Sequence, residues 1–120
     1  MGLGKWWLTH GPGSPGDCAK ALVMDYLKWK AENPGVSEKE LLFMVLATRM
    51  GSRQHFGQTF MSLDESKAVV EEVEGGLPEL IMYVLCYEDE KINNGTQMVY
   101  WQIENIVKII TSSRYQLNPF

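Results

Sequence analysis

The chain has 120 residues and a mass of 13.7 kDa, enough for one domain that buries roughly two-thirds of the surface its unfolded form exposes. Hydrophobic residues at 45% and charged residues at 22% sit near the averages for globular proteins, which argues against intrinsic disorder and fibrous repeats. A net charge of −4 has the wrong sign for gripping a phosphate backbone by counterion release, so nucleic acid is a poor partner.

At the start of the chain, Met1 to Leu8 holds Lys5, Trp6 and Trp7 but no apolar stretch of signal-peptide length with a cleavage site after it. Gly2 fails as a myristoylation acceptor, because Trp6 stands where serine or threonine belongs. Thr9 to Gly16 is a glycine-rich approach to a helix N-terminus, a form that can offer backbone N–H groups and a positive dipole end to an anion. Thr9, His10, Gly11, Gly13 and Ser14 are the residues such a site would use. Against it, the segment lacks a Gly-Lys-Ser/Thr ending and G-x-G-x-x-G spacing, two prolines remove donors, and Asp17 repels anions. A structural turn is the stronger expectation, with residues 1–13 forming an extension that packs on or near the domain.

Ser14 can cap a helix whose first residue is Pro15, and Asp17 sits near its positive end. At about 100° per residue, Cys18, Ala19, Leu22, Val23, Tyr26, Leu27 and Trp29 share one broad face, with Lys20, Met24 and Lys28 pointing away. Asn33-Pro34-Gly35 stops this helix. Ser37-Glu38-Lys39-Glu40 is a capping box that opens a second, with Val36 placed to staple onto Leu41 and Leu41, Leu42, Val45 and Leu46 as its buried stripe. Arg49 and Gly51 supply the basic last turn and the C-terminal glycine.

Ser52 to Met61 is a long connection for two helices, and it holds Arg53, His55, Phe56 and Phe60 around Gly57. Arg53 and His55 are the auxiliary contacts an anion would find. The plainer expectation is that the two phenylalanines plug the loop onto the core while Arg53 and His55 face water. Ser62-Leu63-Asp64-Glu65 opens a third helix, the most acidic, closed by Gly75-Gly76. Leu80 to Tyr87 is apolar without a break, and Pro78 with Glu79 favours a helix there, apolar all round and central. Glu88 to Lys91 and Asn93-Asn94-Gly95 then lead to solvent and a turn. Thr96 caps a last helix reaching about Ser113, with Val99, Tyr100, Ile103, Ile106, Val107 and Ile110 on one side.

Cys18 and Cys86 are too few for a disulfide-stapled secreted domain, and both lie in apolar runs, where a buried inert thiol is the expectation. With two histidines and no H-x-x-x-H, H-E-x-x-H or C-x-x-C spacing, no metal or cofactor is implied. No G-x-S-x-G is present and neither cysteine has a neighbouring base. Glu71-Glu72-Glu74 and Glu88-Asp89-Glu90 read as solvated acidic surface. Of the four tryptophans, Trp6 and Trp7 precede the first helix and Trp101 falls on the polar side of the last, so these three mark either an interface or a satellite cluster.

Charge is uneven along the chain. Residues 1 to 62 carry seven basic and five acidic side chains, and residues 63 to 120 carry four and ten. The expectation is an all-α single domain, an irregular or orthogonal bundle of about five helices, in the cytoplasm. It acts without catalysis through a protein partner or as a homo-oligomer. The alternative is a small regulator or enzyme that binds an anionic ligand at residues 9–16.

Overall fold

Ser14, Ser37 and Ser62 each start a helix in the way their sequence positions predict. Their hydroxyls accept from Asp17 N, Glu40 N and Glu65 N at 3.1, 3.2 and 3.1 Å, satisfying donors that the first turn leaves open. At Ser62 the box is reciprocal, because Glu65 Oε1 accepts from Ser62 N at 2.9 Å, whereas the box expected at Ser37 shows its serine half, the hydroxyl accepting from Glu40 N. The structure, a computed structural model, describes residues 14–55, 57–92 and 100–111; the side chains of Gln54, His55, Ile92, Tyr100, Trp101, Gln102 and residues 109–111 are outside that description.

The helices are α1 (Pro15–Glu32), α2 (Glu38–Gly51), α3 (Leu63–Glu72), α4 (Leu77–Ile92) and α5 (Tyr100–Thr111). The described part of the chain is therefore all-α apart from one small hairpin. None of these helices is long and apolar enough to cross a membrane. Helix α1 packs on α2, α4 and α5, α4 also packs on α2 and α5, and α3 docks on α2. One apolar cluster runs through all five, with Ala19, Leu22 and Val23 of α1, Val45 and Leu46 of α2, Val70 of α3, Leu80, Ile81 and Val84 of α4 and Ile103 of α5 among its members. Each large side chain buried there contributes about 1.5–3 kcal/mol relative to exposure.

Several boundaries differ from the sequence expectation. Gly51 does not take a left-handed cap; α2 runs through it and ends at Ser52, whose φ of −89° is right-handed. The left-handed glycines are Gly57 and Gly76, with φ of 81° and 76°. Gly57 belongs to a feature that periodicity did not predict, a hairpin in which β1 (Gln54–His55) pairs antiparallel with β2 (Gln58–Thr59). Two residues per strand are too few to show an alternating pattern, so the connection read as a plain loop. Phe60 behind the hairpin is buried as expected.

Helix α4 is not buried all round. Leu77, Leu80, Ile81, Val84 and Leu85 face the core, while Met82, Tyr83 and Tyr87 are half-buried and Cys86 is exposed. The all-apolar run belongs to a helix with one covered side, and α1 shares the centre of the domain with it. Nor does the chain leave for solvent at Glu88, since the helix continues to Ile92.

Candidate functional site

Val45 and Arg49 are one turn apart on α2, and so are Val84 and Glu88 on α4; each charged residue continues the buried stripe of its own helix. The stripes face each other, so the two charges meet. Arg49 Nε donates to Glu88 Oε2 at 3.0 Å and Arg49 Nη2 to Glu88 Oε1 at 3.2 Å, a bidentate pair. Arg53, at the entry of the hairpin, places Nη1 2.8 Å from Glu88 Oε2, and its guanidinium lies 5.4 Å from the Phe60 ring centre. Glu88 keeps only 12% of its side chain exposed.

The third arm comes from α1. Cys18 Sγ donates to Glu88 Oε1 at 3.8 Å, so Glu88 joins α1, α2, α4 and the hairpin. Burial pushes the Cys18 thiol up to about 12, and the negative charge of Glu88 adds to the rise; Arg49 and Arg53 pull the other way without reversing it. A thiol held protonated in this way is not a nucleophile at neutral pH. Two sequence expectations are corrected here. Glu88 is a nearly buried ion-pair partner rather than solvated acidic surface, and Arg53 is paired rather than facing water. The signal that could have found the pair was the register of Arg49 and Glu88 with the buried stripes, which an acidic run at a helix end masked.

Of the residues expected to hold an anion, Ser14 is buried, and its hydroxyl is engaged as the cap of α1. Cys18, one turn further on, and Arg53 converge on Glu88, so the first turns of α1 and the start of the 52–61 connection do meet. Thr9, His10, Gly11 and Gly13 lie outside the described residues, as does the side chain of His55. The same holds for Trp6, Trp7 and the side chain of Trp101, the three tryptophans expected at an interface. Among the described residues no group of three or more histidine, cysteine, aspartate or glutamate side chains could hold a metal ion.

A second constellation lies on the outward side of α4. Tyr83 and Tyr87 are stacked with ring centres 5.8 Å apart and planes at 27°, and Phe60 meets Tyr87 edge-on at 5.2 Å. Tyr87 is anchored through its hydroxyl, which donates to Phe60 O at 2.9 Å. Cys86, expected to be buried, is exposed on the same helix; partial burial, then Asp89 and Glu90, raise its thiol above the usual range. The chain matches no family model, no curated protein and no solved structure.

Proposed function

We propose that this chain is a non-enzymatic helical interaction module that works in the cytoplasm through a protein partner or a second copy of itself. The observation that carries the reading is the outward face of α4, where Met82, Tyr83, Cys86 and Tyr87 remain partly or wholly exposed on a helix whose opposite side is core. Apolar and aromatic side chains left together at a surface are the usual material of contact sites. Among the described residues, several charged and thiol groups hold the fold instead: Arg49 and Arg53 on Glu88, Lys39 on three backbone carbonyls, and Cys18 as a protonated thiol. Both cysteines are free thiols, which fits a reducing compartment. The test places a photo-crosslinking amino acid at Met24, Leu63 or Tyr83, on three different helices, in living cells. A discrete adduct from one position supports the reading, and background at all three overturns it.

A second reading, an anionic ligand held at the N-terminus of α1, has Arg53 near the first turns of that helix, but would have to take this arginine from Glu88. It expects inorganic phosphate to raise the melting temperature, because a ligand bound only to the native state stabilises by mass action, and Arg53→Ala to abolish the rise. No rise with the unsubstituted chain would end that reading.

A further inference from the structure

Helices α3 and α4 each carry a stripe near the half-buried tyrosines of the outward face. On α4, Tyr83, Tyr87 and Glu90 follow one another at four and three residues, one side of a helix. On α3, Glu65, Val69 and Glu72 do the same. Glu65, Glu72 and Glu90 are exposed, whereas Val69 and both tyrosines are half-buried. The segment that leads into α3 meets this side of α4 directly, since Phe60 packs edge-on against Tyr87 at 5.2 Å and its carbonyl oxygen accepts from the Tyr87 hydroxyl at 2.9 Å; the Tyr83 hydroxyl, raised by burial, then by Tyr87 and by the negative charges of Glu65, Glu72 and Glu90, agrees with acidic side chains around it. An aromatic strip therefore lies under an acidic rim.

Charge says what such a strip takes. The half of the chain from residue 63 onward carries ten acidic side chains against four basic ones. Lys91 of the chain itself stands 5.6 Å from the Tyr87 ring centre, so the face already accepts a cation. Among the described residues the Tyr83 ring has no such cation. A partner with apolar side chains alone would leave the rim carboxylates partly desolvated, and an acidic partner would be repelled.

We propose that this outward face, made of Met82, Tyr83, Cys86 and Tyr87 with Glu65, Glu72 and Glu90 as its rim, docks a partner protein segment that carries lysine or arginine among apolar residues. The basic side chains sit over Tyr83 and against Glu72 and Glu90, and the apolar ones cover Met82 and Cys86. The proposal rests on the interaction-module reading and names its surface and partner chemistry.

Cys86 provides the measurement, because it is the exposed thiol of the two and lies within the face, whereas Cys18 is buried and held protonated. The probe is a short helical peptide of leucine and lysine, with a leucine–glutamate peptide as control, and the readout is the rate of Cys86 alkylation by iodoacetamide. At a peptide concentration about ten times its Kd, a complex that covers the thiol slows alkylation about tenfold by mass action. The expected result is protection by the lysine peptide alone, lost when Glu72→Gln and Glu90→Gln are combined and kept when Glu32→Gln and Glu104→Gln are combined on α1 and α5. Binding of the lysine peptide without protection, or equal loss in both double variants, overturns the surface and leaves the interaction reading standing. Protection that grows with the concentration of the chain alone makes the occupant a second copy and overturns the basic partner. No binding of the lysine peptide overturns the proposal, while the interaction reading is then judged by the crosslinking at Met24 and Leu63.

Discussion

Lys39 Nζ lies 2.7 Å from the carbonyl oxygen of Val73, and it also donates to Val70 O at 2.8 Å and Glu71 O at 3.2 Å. One lysine of α2 thus closes the C-terminus of α3, where the last carbonyls lack intrahelical partners and the dipole favours a positive charge. No basic residue stands in the last turn of α3 itself, so the cation comes from the neighbouring helix.

Lys39→Met keeps the length of the stem and removes all three bonds. The expected cost is about 1–2 kcal/mol, the range for charge-assisted bonds near a surface, with faster amide exchange concentrated in the last turn of α3. Urea midpoints and hydrogen exchange check it. Uniform acceleration across the domain would show that the lysine does not act at that helix end.

Glu88→Gln leaves Arg49 and Arg53 facing a neutral amide. Both guanidiniums retain some contact with water, so the loss falls below that of a fully buried pair, at about 1–3 kcal/mol. Adding Arg53→Ala to Glu88→Gln should cost less than the two single changes added together, because the two residues share one cluster. A double-mutant cycle of denaturation midpoints measures the coupling; simple additivity would mean the ion pair contributes nothing net.

Ser66 is buried on α3, and its hydroxyl has no hydrogen-bond partner among the described residues. Removing a buried, unpaired polar group relieves a desolvation penalty. Ser66→Ala is expected to leave stability unchanged or to raise it by about 1 kcal/mol, with alanine adding helix propensity. A loss of more than about 1 kcal/mol in thermal or urea unfolding would show that the hydroxyl has a partner in solution.

Alkaline pH should weaken the fold over a defined window. Burial and Glu88 push Cys18 up to about 12; burial and the hydrogen bond to Glu38 hold Tyr26 at about 12 as well. In the unfolded chain the thiol titrates near about 8.5 and the phenol near about 10. Between those values and about 12 the unfolded chain has released protons that the folded chain keeps, so stability is complete below about pH 8.5 and falls as pH rises towards 12. Cys18→Ala should flatten the lower part of that decline. An unchanged slope between pH 8.5 and 10 would show that the thiol does not sense its burial.

Much of the architecture was legible residue by residue. The three capping serines, the buried faces of α1 and α2 and the stop at Asn33-Pro34-Gly35 all act within a few residues of themselves, and each was found in place. Leu63, the first residue of α3, is 63% exposed, although Ser66 and Val70 of the same helix are buried. The Glu88 cluster was hidden. Cys18 and Arg49 lie 70 and 39 residues from the carboxylate they share, distances over which no local pattern operates.

The amino-acid sequence by itself determined where the helices begin and which side of each is apolar, because capping hydrogen bonds and helical periodicity are properties of contiguous residues. Only the tertiary structure decided which stripe opposes which. That opposition turned Glu88 into an ion-pair centre, drew Lys39 to the end of α3, and separated two cysteines of similar local setting into a buried thiol and an exposed one. The physical reason is that periodicity orients a side chain about its own helix axis but says nothing about the neighbour across the interface; burial, pairing and the shifts in acidity they cause belong to that neighbour.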